Sequence, residues 1–215
     1  MKKSPIGFCL TVFAILISTT SVFSQAVSPT TRLTEIKITQ KFENYTLVEA
    51  LRLLSDRYKI PIGYEEAFSE ENDNILISLQ FSNSSVRNVL DELTKNDPRY
   101  EWKSRNGIIN VIPKMSSKVL DINIKSISVK EMDLNDFGIF VVQLPDFKVE
   151  ARKLGFTGDT AVHYDGPLKK PISLNIEMEN VSVETILNEI LRRGDSNFWY
   201  ISRHGATGEY VAVNF

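Results

Sequence analysis

Cysteine is almost absent from this chain. The one copy in 215 residues, Cys9, lies inside an amino-terminal apolar run, IGFCLTVFAILI, Ile6 to Ile17. Once that segment is removed, the remainder has no thiol, which excludes disulfides, zinc–thiolate sites, thiol nucleophiles and redox pairs. Histidine is nearly as scarce. His163 and His204 are the two copies, and neither stands in an HExxH or Ser-His-Asp context. The ten glycines are scattered and form no phosphate-cradling loop. An excess of either charge is also missing, with 25 basic against 27 acidic residues. Nothing here attracts nucleic acid or an anionic membrane surface. After the first apolar run no segment is long and apolar enough to cross a bilayer.

That first run has its own meaning. Lys2 and Lys3 precede it and STTSVFSQA, ending in small residues, follows it. A basic start, an apolar stretch and a small-residue exit predict a cleavable secretory signal over residues 1–26. Removing Lys2 and Lys3 leaves 25 − 2 = 23 basic residues against 27 acidic ones, a net charge of −4. The expected location is the periplasm, with the extracellular space as the alternative.

Three Asn-x-Ser/Thr triplets recur, at Asn44 (NYTLVEAL), Asn83 (NSSVRNVL) and Asn180 (NVSVETIL). After each, apolar residues fall at helical spacing: Leu47, Ala50, Leu51, Leu54; Val86, Val89, Leu90, Leu93; Val183, Ile186, Leu187, Ile190. The hydroxyl residue stands where a helix takes its N-cap, and Thr46 with Glu49 forms a capping box. The triplets therefore read as helix starts rather than glycosylation sites. A strand-like alternation precedes each: LTEIKITQKF, ILISLQF and ISLNIEM. A weaker fourth copy is expected in VLDINIKSISV, with Ser126-Ile127-Ser128 as its triplet and a helix over 134–144 broken by Gly138. PDFKVEARKLGFTGD reads as an added short helix, with Pro145 in its first turn.

Two hairpins complete the pattern, Tyr100 to Pro113 around Asn106-Gly107, and Phe198 to Phe215. The chain thus reads as α+β, with two tandem β-α-β-β-α-β modules each closed by a hairpin. The first spans 33–113, a linker spans 114–118, and the second spans 119–215 and includes the extra helix. IPIGYE and VHYD are the short strands of the two copies.

The N-x-S/T-φ-x-x-φ-L phrases (φ apolar), above all NYTLVEALRLLSDRYKIPIGYEEA and ILISLQFSNSSVRNVLDEL, resemble the secretin and TonB short N-terminal domain. That resemblance implies a periplasmic protein-contact module and no catalytic residues. On this reading the protein is not an enzyme and holds no cofactor or metal; the acidic stretch Tyr64 to Asn74 lacks the order of a calcium loop.

One feature exceeds structural need. Phe198-Trp199-Tyr200-Ile201 is apolar on both faces of its strand. Aligning Trp199 with Trp102 turns Phe198, Tyr200 and Tyr210 outward; aligning the two Ser-Arg pairs turns Trp199 and Ile201 outward. Either face needs a cover, from the chain itself or from a partner. The candidate partner-binding residues are Phe198, Trp199, Tyr200, Arg203, His204 and Arg105. The leading expectation is a docking or adaptor role towards another envelope protein, through a sheet edge or this hairpin. The alternatives are a binding protein for a small molecule or envelope glycan in a cleft between the modules, and a hydrolase using Asp or Glu.

Overall fold

The computed structural model describes residues 33–68, 75–156, 172–205 and 208–215. The signal segment, the tip of the acidic loop, and VHYD with His163 lie outside the described residues. The fold is α+β, and five helices and nine strands are described. The order is β1 (Lys37–Tyr45), α1 (Leu47–Tyr58), β2 (Ile62–Glu65), β3 (Ile77–Ser85), α2 (Val86–Asn96), β4 (Tyr100–Arg105) and β5 (Ile108–Pro113). A 3-10 turn (Val119–Asp121) leads to β6 (Asn123–Asp133), α3 (Leu134–Gln143), α4 (Pro145–Lys153), β7 (Ser173–Ser182), α5 (Val183–Arg193), β8 (Phe198–His204) and β9 (Tyr210–Asn214).

The helices begin where the hydroxyls predict. Thr46 Oγ1 accepts from the Glu49 amide, Ser85 Oγ from Asn88 and Ser182 Oγ from Thr185. Glu49 returns the bond to the Thr46 amide at 2.8 Å, closing the capping box. The triplet asparagines have a separate job. Asn44, Asn83 and Asn180 have φ of 57°, 51° and 50°, the left-handed region that asparagine tolerates better than most residues. At Asn44 and Asn83 the β1–β3 ladder slips by one residue, so each marks a bulge that turns the strand into its helix. The bulged amide of Asn44 donates to Ser78 Oγ at 3.1 Å, and that of Asn83 to Thr39 Oγ1 at 3.1 Å.

The fourth copy of this device is not at Ser126-Ile127-Ser128. Those residues pair regularly along β6 with Glu179, Met178 and Glu177. Glu131 has φ of 51°, the ladder slips there, and its amide donates to Asn175 Oδ1 at 3.2 Å. Glu131-Met132-Asp133 therefore takes the triplet's place directly before α3. The spacing in the second half becomes 180 − 131 = 49 against 83 − 44 = 39 in the first, an excess of ten. Helix α4, nine residues long, accounts for nearly all of it. Three helices also gain the same main-chain support: the first amides of α2, α3 and α5 donate to Ile36, Ile172 and Ile122 carbonyls respectively. Those amides have no acceptor within their own helix. Gly138 does not break α3; it lets the helix ride on β9, since a Cβ there would stand 2.2 Å from the Val213 carbonyl oxygen.

The strands form two antiparallel ribbons, β1–β3 and β6–β7, and one five-stranded sheet in the order β4-β5-β2-β8-β9. Strand β2 runs parallel to both β5 and β8, so strands from both halves share one sheet. Its alternating residues face two cores. Ile62, Tyr64, Tyr100, Ile109, Val111 and Phe198 pack with α1, α2 and the β1–β3 ribbon. Ile108, Ile112, Trp199, Ile201, Val211 and Val213 pack with α3, α5 and the β6–β7 ribbon. Because both faces are covered, β2 and β5 are buried along their whole length and read as near-continuous apolar runs.

Candidate functional site

The candidate hairpin lies at the seam between the halves. Trp199 is 0% exposed, and its indole N–H donates to Asn188 Oδ1 at 3.0 Å. Trp102 makes the matching bond to Asp91 Oδ1 at 2.8 Å, from the same eleven-residue separation. The two tryptophans therefore make matching bonds, and the side chains along β8 follow the alignment on tryptophan. Phe198 and Tyr200 then turn away from their own half and into the other. Phe198 is 4% exposed. The Arg52 guanidinium of α1 lies 4.9 Å from the Phe198 ring centre and 5.6 Å from that of Tyr200. At Phe198 and Tyr200 the surplus aromatic face is covered by the chain's own first half, while Tyr210 stays exposed. Trp199 and Phe198 are thus core residues rather than a partner surface.

Arg203 is a cross-seam clamp. Its guanidinium stands 4.9 Å from the Phe68 ring centre and 5.1 Å from that of Phe156, one ring from each half. Its Nε donates to the Gly208 carbonyl at 3.3 Å, and its amide donates to Glu66 Oε2 at 3.2 Å. Burial lowers its pKa, while Glu65 and Glu66 oppose that shift. His204 is exposed, its Nε2 2.8 Å from Ser202 Oγ, and Arg105 is exposed at the end of β4. The structure therefore brings Phe198, Tyr200 and Arg203 to the seam, buries Trp199 beneath it, and leaves His204 and Arg105 outside.

Several residues at the seam were not singled out by sequence reasoning. Glu65 is 0% exposed and accepts from Ser116 Oγ at 3.2 Å, from the Ser117 amide at 3.0 Å and from Ser117 Oγ at 2.5 Å. A buried carboxylate needs such donors to offset its lost hydration. The linker is therefore tied to β2. Asp97, also buried, takes two bonds from Arg99, at 2.8 and 2.7 Å, which raise the pKa of that guanidinium. An acid ending an apolar strand and a Ser-Ser pair in a linker were visible separately; their meeting needs the fold.

The Tyr64 and Tyr100 rings stack at 5.4 Å with hydroxyls 2.6 Å apart, and the Ala67 amide donates to Tyr100 Oη at 2.8 Å. Burial raises the pKa of both phenols; for Tyr64 the neighbouring Tyr100 adds to the effect. The folded state keeps these protons while an unfolded tyrosine loses its own near about pH 10. Stability is therefore full below that pH and falls as pH rises past it. Tyr64→Phe should cost about 1 kcal/mol at neutral pH and make the alkaline decline shallower. Urea unfolding from neutral pH to about pH 11 checks this; an unchanged slope would remove the phenol pair as its cause.

A concavity lies elsewhere, between the 3-10 turn, the start of β6 and α4. It is an open groove of about 570 Å³. Val149, 52% exposed, and Leu154, 40% exposed, supply its apolar surface. Lys118–Asp121, Lys125–Asp146 and Lys153–Glu150 pairs, at 3.6, 3.8 and 2.7 Å, supply its charged rim. Helix α4 is held there because Phe147 and Ala151 are buried and Asp146 accepts from the Lys125 amide of β6 at 2.9 Å. Among the described residues no group of three or more His, Asp or Glu side chains is placed to hold a metal, and no helix is long and apolar enough to cross a membrane. Compared with family models, curated proteins and solved structures, the chain matches none of them.

Proposed function

We propose that this protein is a non-catalytic docking module of the cell envelope, made of two units similar to the secretin and TonB short N-terminal domain. It takes an extended segment of another envelope protein into the groove beside α4. The observation that carries this reading is the groove itself, with exposed Val149 and Leu154 set within three lysine–acid pairs. Apolar anchors surrounded by a polar rim are the usual anatomy of a protein contact. The tandem reading draws support from the left-handed asparagine with its hydroxyl helix cap and from the tryptophan bond, which recur in both halves at an offset of 180 − 83 = 97 and 199 − 102 = 97 residues. Export rests on the amino-terminal segment.

The rival, a small-molecule or glycan cleft between the halves, draws less support. Strands β2 and β8 are joined directly by their main chains, and Trp199 fills the space beneath them. The test is affinity capture with the tagged mature protein after mild crosslinking in its native envelope, compared with Val149→Asp/Leu154→Asp. A partner that drops about tenfold with the variant, while thermal stability holds, supports the groove; loss of two apolar anchors costs this much or more. A partner recovered equally by both proteins refutes it.

A further inference from the structure

The two halves are joined covalently by one short linker, residues 114–118. Across the seam, β2 pairs with β8 from Ile62↔Phe198 to Glu65↔Ile201. The Ile62 amide donates to the Asn197 carbonyl at 2.9 Å, and the Glu66 amide to the Ile201 carbonyl at 2.8 Å. Ser55 Oγ donates to the same Asn197 carbonyl at 2.7 Å, and Asn110 Nδ2 to Glu184 Oε1 at 2.8 Å. None of these bonds uses a linker atom. A first half therefore fits the second half of another copy by the same bonds as its own. The choice between them rests on the linker and on concentration.

The linker is held in a tight bend. Ser116 Oγ accepts from the Lys118 amide at 3.1 Å and Ser117 Oγ from the Val119 amide at 3.2 Å. Lys118 has φ of 67°, a left-handed conformation that is strained for a residue with a long side chain. Met115, 93% exposed, packs on almost nothing. The bend is held instead by Glu65, whose buried carboxylate accepts from Ser116 Oγ, the Ser117 amide and Ser117 Oγ. A buried carboxylate without such donors is costly, so the bend and the burial of Glu65 support each other. Glu65 is in register with Ile201 of β8, which fastens the linker at the seam itself. A chain opened at the seam would expose Ile108, Ile112 and Phe198 together with the edges of β2 and β8. What fits that surface is a second half, and another copy carries one. Short hinges under strain favour such an exchange between copies.

We propose that Glu65, Ser116 and Ser117 form a latch that keeps the seam within one chain, and that two copies exchange their second halves once the latch is released. In the exchanged dimer each β2 pairs with β8 of the other copy. The linkers straighten, and Lys118 leaves the left-handed region. The bonds lost are the linker's own, while both cores and the shared sheet are rebuilt with the same residues. The contact is isologous and closes at two copies. This device goes beyond the docking reading and does not depend on the groove beside α4.

The test is sedimentation velocity of the mature chain and its variants, each unfolded in urea and refolded at high protein concentration, with circular dichroism reporting the fold. Wild type should refold as a monomer. Ser116→Ala/Ser117→Ala removes two latch donors that belong to neither core and should raise the dimer-to-monomer ratio about tenfold or more. Glu65→Gln releases the latch from its other side and should do the same. Inserting about ten Gly/Ser residues after Met115 in the serine variant should return it to monomer, because a long flexible linker lets one chain close on itself. A dimer made through any other surface would ignore linker length. Latch variants that refold as monomers like the wild type overturn the proposal. So does a variant dimer that persists with the longer linker, or a wild type that refolds as the dimer.

Discussion

Gly63→Ala should lower stability by about 3 kcal/mol or prevent soluble expression, a large effect for one methyl group. Gly63 lies at the middle of the shared sheet, in register with Trp199 of β8 on one side and Asn110 of β5 on the other. A Cβ there would stand 2.1 and 2.3 Å from two atoms of the Trp199 ring and 2.7 Å from Asn110 Oδ1. None of these can retreat easily. The indole is fully buried and held by Asn188, and Asn110 is buried and donates to Glu184 Oε1 at 2.8 Å. Interiors packed at crystal density pass such strain to the backbone. The accompanying test is a double-mutant cycle. Trp199→Phe removes the ring edge nearest Gly63, so the combined loss should be smaller than the sum by at least about 1 kcal/mol. Additive costs would show that the ring is not the obstacle. Urea midpoints of the four proteins supply the measurement.

The second large effect concerns division of the chain. Residues 33–113 alone should give no cooperative unfolding transition and should aggregate, although the linker at 114–118 marks a boundary in the sequence. Cutting there strips β8 from β2 and uncovers Ile108 and Ile112, which are buried in the second core. It removes Phe198 and Tyr200 from the first core, and Glu65 loses Ser116 and Ser117 as donors together with its β8 neighbour Ile201. Each large apolar side chain returned to water costs about 1.5–3 kcal/mol, and whole-domain stability is only about 5–15 kcal/mol. The intact chain should unfold in one step by circular dichroism and tryptophan fluorescence together, since Trp102 and Trp199 report on the two cores. A fragment 33–113 that is monomeric and unfolds cooperatively would sink this expectation.

Helix starts were legible because their cause is local. Thr46, Ser85 and Ser182 cap amides three residues away, and the helical spacing that follows needs no distant contact. The asparagines were legible as a repeated letter but not as a conformation. Their left-handed φ becomes meaningful only beside the partner strand, where Ser78 and Thr39 accept the bulged amides. Glu131 escaped for that reason: a glutamate carries no turn signature, and the Asn175 side chain that receives its amide lies 44 residues away.

The aromatic hairpin shows where sequence reasoning stops. Its alternation correctly implies a strand buried on both faces, because side-chain direction along a strand has a period of two. Which body covers each face is a different kind of fact. Parallel pairing of β2 with β8 joins residues some 136 positions apart, as in Ile62↔Phe198, and no local propensity encodes such a partner. Composition, periodicity and capping by themselves determined the α+β class, nearly every described element and the scarcity of thiol and imidazole chemistry. The tertiary structure alone decided that the two halves share one sheet, that Phe198, Trp199, Tyr200 and Arg203 lie at or beneath its seam while His204 and Arg105 lie outside it, and that the groove beside α4 faces outward. The physical reason is that burial and edge exposure belong to the whole assembly of strands, whereas hydrogen bonds within a turn of helix belong to the segment that makes them.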